Sequence, residues 1–134
     1  MAQSRFHSWL AYQKAFALAV SIRKLARNFP KEEKYSLTDQ ITRSSRSVCA
    51  NLAESYGRRN YPKHFTAKLN DCISENFETQ VWLEFALEAN YLTEAHYHQY
   101  IAASESVGRL LSFMKKNPEK FTAFKTTGSS SRRP

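Results

Sequence analysis

Apolar residues return every three or four positions along most of the chain, the spacing that lines up one face of an α-helix. Tyr12, Ala15, Phe16, Ala19, Ile22, Ala26 and Phe29 form one such stripe and predict a helix over residues 8–28, ended by Pro30. Leu37, Ile41, Ser44, Val48, Leu52 and Ser55 form a second, over residues 37–57, with Gly57 as its stop. Ser36 or Thr38 is expected to cap its first amides, and Asp39 adds a favourable charge to the first turn. Ser44, Ser45, Ser47, Ala50 and Ala53 keep this helix slim, so that a neighbour can approach closely.

A third helix is predicted over residues 61–89, capped by Asn60 and opened by Pro62, where a missing amide hydrogen costs nothing. Its apolar residues, Phe65, Leu69, Cys72, Ile73, Phe77, Trp82, Leu83, Ala86 and Leu87, spread over more than one stripe. A helix apolar over so wide an arc is expected to serve a core on one side and a subunit interface on another. Thr93 reads as the cap of a fourth helix over residues 94–117, closed by Pro118. Tyr97, Ile101, Ser104, Val107, Leu111 and Met114 give it a clear stripe, widened by Leu110 and Phe113.

Helices of about 20 residues are about 30 Å long, and the short connections between these four make sequential neighbours antiparallel. The predicted architecture is an all-α, up-down-up-down four-helix bundle over residues 1–121, with residues 122–134 as a flexible basic tail. Composition agrees: 134 residues with 42% hydrophobic content suit one domain with a real core, and three glycines and four prolines are too few for an all-β chain.

Charge changes the picture more than length does. The net charge of +8 is uneven: residues 1–70 carry +9, residues 71–114 carry −6 and residues 115–134 carry +5. A basic front and an acidic back can attract each other within a bundle or between copies. The up-down order also sorts charges by pole. Arg23, Lys24, Arg27, Lys31 and Lys34 share theirs with Glu88 and Glu94, whereas Arg5, Arg58, Arg59, Lys63, Lys115, Lys116 and Lys120 collect at the other, with Arg132 and Arg133 of the tail nearby. Around Arg58, Arg59, Tyr61, Lys63, His64 and Phe65, basic and aromatic residues interleave, the combination that single-stranded nucleic acid uses for charge and stacking. The candidate nucleic-acid-binding residues are therefore Arg58, Arg59, Lys63, Lys115, Lys116 and Lys120.

Catalytic chemistry finds little to stand on. Carboxylate-bridged metal pairs in bundles need Glu-x-x-His motifs, which are absent, and His96 and His98 point in different directions on a helix. Cys49 and Cys72 lack Cys-x-x-Cys partners and read as reduced, buried thiols. There is no glycine-rich phosphate loop and no nucleophile elbow. Gln40, Arg43, Ser47, Asn51 and Glu54 on the second helix face Asp71, Glu75, Glu78 and Trp82 on the third, and the two stripes are expected to supply each other with hydrogen bonds and ion pairs. The apolar run at residues 15–22 is too short to cross a bilayer. The expectation is a cytoplasmic protein with no catalytic residues, no metal, no cofactor and no membrane partner.

Several blocks also resemble a known family. Phe29, Pro30 and Glu33, the run of Tyr35, Ser36, Leu37, Thr38, Asp39, Gln40 and Ile41, then Arg43 with Ser44, Ser45, Arg46, Ser47 and Val48, and Ala50, Asn51, Leu52, Ala53 and Glu54, are similar to the signature of the bacterial four helix bundle protein family. Its founding members are reading frames inside intervening sequences of large-subunit ribosomal RNA genes. The likeness continues through Tyr56, Gly57, Arg58, Phe65, Lys68, Leu69, Glu75, Glu78, Thr79, Trp82, Leu83, Tyr91 and Leu92, covering residues 9–115. One departure is Ser55, where the family usually has a small glycine. The resemblance implies a left-handed bundle assembled into a homopentameric ring, with no known catalysis. Nucleic-acid binding is implied by the gene context and by basic relatives that assist reverse transcriptases in diversity-generating retroelements. It also marks Asn51 and Glu54 as an inward polar pair, with Glu75 and Glu78 as their counterparts. The leading expectation is a non-enzymatic oligomer that binds RNA or DNA through its basic end; the alternative is a protein-interaction scaffold.

Overall fold

A computed structural model describes residues 5–122. Four helices, α1 (Leu10–Ala26), α2 (Leu37–Gly57), α3 (Pro62–Glu88) and α4 (Glu94–Lys116), carry the fold, and short 3-10 turns at Phe6–Ser8, Lys31–Glu33 and Pro118–Lys120 flank them. The described residues contain no strand. Each helix packs on the next and α1 closes on α4, so the four rods form a square. α2 and α3 are antiparallel: Ser44 of α2 meets Thr79 of α3, while Glu54, further along α2, meets Lys68, earlier on α3; Trp9, just before α1, meets Tyr56 near the end of α2 and Phe121 after α4. The predicted final segment lies outside the described residues from residue 123 onward.

The stripe of α2 is buried at every position named from its period, Leu37, Ile41, Ser44, Val48, Leu52 and Ser55. That of α1 is rotated. Leu18 and Ala11 join Ala15, Ala19, Ile22 and Ala26 in the core, while Phe16 is 52% exposed and stacks on half-buried Tyr12 at 6.0 Å. Residues two apart lie on nearly opposite sides of a helix, so Phe16 and Leu18 cannot both face inward. On α3 the wide arc divides as its breadth requires: Phe65, Leu69, Cys72, Leu83 and Ala86 go inside, and Phe77 stands 61% exposed.

Polar residues complete the interior. Ser44 and Thr79 share a hydrogen bond of 2.8 Å between α2 and α3. Between α3 and α4, Asn76 Nδ2 donates to the Ser104 carbonyl at 2.9 Å, Ser104 Oγ donates to Asn76 Oδ1 at 3.0 Å, and Gln80 Nε2 donates to Ser104 Oγ at 2.9 Å. Gly108 makes room for this cluster, since a Cβ there would sit 3.3 Å from Asn76 Nδ2. Buried donors left without partners are costly. Asn76→Ala is therefore expected to destabilise the bundle by about 1–3 kcal/mol, read as a lower urea midpoint at unchanged slope.

The helix ends differ from their sequence signals. Ser36 caps α2 by position but not by side chain; its Oγ donates to Glu33 Oε1 at 2.6 Å, and the same oxygen accepts the Leu37 amide at 3.2 Å. Asn60 falls one residue short, because Tyr61 is the residue preceding α3 and makes no side-chain cap. Gly57 stays helical, and the left-handed turn is made by Asn90 (φ 64°), with the Tyr91 amide donating back to the Ala86 carbonyl at 2.9 Å. Thr93 does cap α4, accepting the His96 amide at 3.1 Å.

Glu33 also accepts the Tyr91 hydroxyl on Oε2 at 2.7 Å, tying the α1–α2 connection to the α3–α4 turn. The hydrogen bonds from Ser36, Tyr91 and Leu37 hold its carboxyl below the ordinary value of 4.5. A lowered carboxylate pKa contributes stability that is complete above the unfolded-state value and is lost as pH falls through the folded-state value. Thermal melts should therefore show Glu33→Gln less stable than the parent at neutral pH, with the gap closing in acid. A gap that persisted unchanged in acid would refute the assignment.

Candidate nucleic-acid interface

The pole where α2 ends, α3 begins and α4 ends is organised by aromatic rings. Trp9 sits edge-on to Tyr56 at 5.8 Å, to Phe65 at 6.4 Å and to Phe121 at 6.0 Å, and Phe121 meets Phe113 at 6.1 Å. Phe6 reaches Tyr56 at 5.9 Å. These contacts draw the first turn, the α2–α3 loop and the segment after α4 onto one surface.

Cations ring that aromatic plug. Arg5, Arg58, Lys63, Lys115, Lys116 and Lys120 are exposed, and Arg59 is half-buried. Arg59 lays its guanidinium 3.7 Å from the Tyr56 ring centre and donates from Nε to the Tyr56 carbonyl at 2.8 Å. Lys120 lies 5.2 Å from the Phe113 ring and Arg5 5.6 Å from that of Phe6. A cation over a ring face gains attraction without losing its charge.

Among the described residues the ion pairs all involve Lys68, to Glu54 at 2.7 Å and Asp71 at 3.4 Å. None of the seven pole cations is neutralised in this way, and Glu119 is an exposed carboxylate on the same turn as Lys120. Tyr61, 60% exposed beside His64 at 5.9 Å, offers a ring to a stacking base. Arg132 and Arg133 lie outside the described residues.

The polar stripe of α2 and α3 takes a different form from the inward pair that the resemblance implies. Glu54 is exposed and bound to Lys68, and Asn51 turns back on its own helix, donating to the Ser47 carbonyl at 2.9 Å. Glu75 is half-buried and Glu78 exposed. Burial raises the Glu75 pKa, helped by Glu78, while the Arg43 charge pulls it down. The polar groups that turn inward on these helices are Ser44, Ser45 and Ser55 of α2 and Asn76 and Thr79 of α3, with Ser104 of α4. Asn76 and Thr79 sit in register with Cys72 and Leu83, and that register is the one sequence signal of their burial.

No group of three or more His, Cys, Asp or Glu among the described residues is placed to hold a metal. Burial pushes the Cys49 thiol up to about 11, and raises that of Cys72 as well. The thiolate is the reactive form. Both cysteines should therefore resist iodoacetamide in the folded protein and react in denaturant; rapid native labelling would contradict the burial. No described helix is long and apolar enough to cross a membrane.

A family model described as 23S rRNA-intervening sequence protein matches residues 8–113. No curated protein matches the chain. Among solved structures, a protein with unknown function from the S23 ribosomal protein family of Bacteroides thetaiotaomicron is similar to it, with a TM-score of 0.73 and 30% identity, over 80% of this chain and 96% of that one.

Proposed function

The chain belongs to the 23S rRNA-intervening sequence protein family, and from that footing we propose that it is a non-enzymatic, oligomeric, cytoplasmic protein that binds RNA through its basic pole. The observation that carries the reading is the set of seven cations at one end, none in an ion pair among the described residues and three of them over aromatic rings. Such a surface gains affinity by releasing the counterions condensed on a polyphosphate. The α3 helix also starts there without a side-chain cap, which leaves the Lys63 and His64 amides without a partner in their own helix. The family's ribosomal RNA context favours RNA over other polyanions.

We place the chain in a head-to-tail ring, of five copies as the resemblance implies. Two apolar surfaces on opposite sides of the bundle support it. One is the α1/α2 groove, lined by Tyr12, Phe16, Val20 and Ala50 and flanked by Arg23 and Arg46. The other is the outer stripe of α3, where Phe77, Val81 and Phe85 are 61%, 42% and 54% exposed beside Glu78, Glu84 and Glu88. Unlike surfaces on opposite sides join copies head to tail, and a rotation that closes makes a ring. A ring repeats the basic pole and raises avidity without new contacts.

Fluorescence polarisation with labelled single-stranded RNA across a salt series tests the binding. The expected result is affinity that falls steeply with salt; no binding at about 50 mM salt, or binding indifferent to salt, would overturn it. Pull-down from nuclease-treated lysate separates this reading from the protein-scaffold alternative, because a protein partner survives the nuclease.

A further inference from the structure

Of the neighbouring helix pairs, α1 and α4 pack least closely. Along their seam runs a groove of about 680 Å³, within the size range of ligand clefts. Lys14, Ser21 and Lys24 line it from α1, Asn28 from just beyond that helix, and His96 and Tyr100 from α4, with the small side chains of Ala17 and Ala103 between them. No carboxylate lines it, and neither lysine is in an ion pair among the described residues. Tyr100 reaches across the groove, its hydroxyl donating a long hydrogen bond to the Ser21 carbonyl at 3.4 Å.

We propose that the α1/α4 groove is a second nucleic-acid site, seating a short segment of single-stranded RNA with phosphates on Lys14 and Lys24 and a base against Tyr100. The proposal rests on the RNA-binding reading of the basic pole and extends its path. Lys14 and Lys24 stand about 15 Å apart along α1, which spreads two positive charges over the length of several nucleotides. The Lys14 end of the groove lies toward the pole where α1 begins and α4 ends, so a strand held by Lys115 and Lys116 continues into it. Positive charge tracking a backbone beside an aromatic ring is the arrangement that binds single strands without reading sequence. The groove also avoids both surfaces assigned to the ring, since it lies on the α1/α4 side and they lie at α1/α2 and on outer α3.

The test uses the full chain and a fluorescein-labelled oligouridylate of about twelve nucleotides, near the upper end of single-strand site sizes. Lys14→Glu with Lys24→Glu is expected to weaken binding at least tenfold, with circular dichroism unchanged. A 4-thiouridine version of the probe should cross-link to the α4 peptide that carries Tyr100, and Tyr100→Leu should remove that cross-link. Lys14→Gln with Lys24→Gln serves if the charge reversal disturbs folding. If the groove variants bind like the parent while alanines at Arg58, Arg59 and Lys63 abolish binding, the groove proposal fails and the pole reading stands. If the parent binds no oligonucleotide at all, both fail.

Discussion

Replacing Arg58, Arg59 and Lys63 together by alanine should weaken single-stranded RNA binding on the order of 100-fold at about 0.1 M salt and lower the salt slope by about 2. The estimate follows from counterion release: each lost phosphate contact removes about 0.7 from the slope on a single strand, worth a similar decade fraction at that salt. The three residues border the α2–α3 connection, and none has a carboxylate partner among the described residues. Nothing local therefore competes with a phosphate. The control is at the other pole, where Lys31→Ala with Lys34→Ala removes charge from a surface shared with Glu32, Glu33 and Glu88. Those alanines should leave the slope unchanged. Equal losses from both sets would mean that net charge alone governs binding, and the pole would lose its special standing.

Phe77→Glu combined with Phe85→Glu should convert the proposed ring into single chains of 15.5 kDa, measured by light scattering on a sizing column. Both rings are more than half exposed in the isolated bundle, so the substitutions remove nothing from its core. Burying a phenylalanine against a partner contributes about 1.5–3 kcal/mol, and a glutamate there adds an unpaired charge to the joint. The monomeric variant should melt as one helical unit and bind RNA more weakly, through lost avidity rather than lost contacts. A parent already at the mass of one chain would end the ring reading while leaving the basic pole intact.

The sequence made α2 legible because its period is unbroken: every residue of the stripe from Leu37 to Ser55 is buried, and only Ser45 joins it from outside the period. Phe16 fits the period of α1 but lies on the flank of its buried face. It is 52% exposed while Leu18 is buried, and apolar spacing alone does not say which edge of the stripe turns to the core. Asn76 was silent because a polar residue in an apolar register reads as an interruption until its partner on another helix, here Ser104 of the α4 stripe, is known. The basic pole was legible from topology, which brings chain ends and loops together whatever the side chains do. The covering of Arg59 by Tyr56 depends on local loop geometry and was not.

The two ends of the rod are chemically unlike. At one, Glu33 and Tyr91 fasten the connections to each other; at the other, arginines and lysines stand open. In the proposed ring, copies related by rotation about an axis along the rods would all point the same way and make a washer with one adhesive side. A polynucleotide would be approached from that side alone, and two washers laid adhesive side to adhesive side would repel each other until a strand came between them.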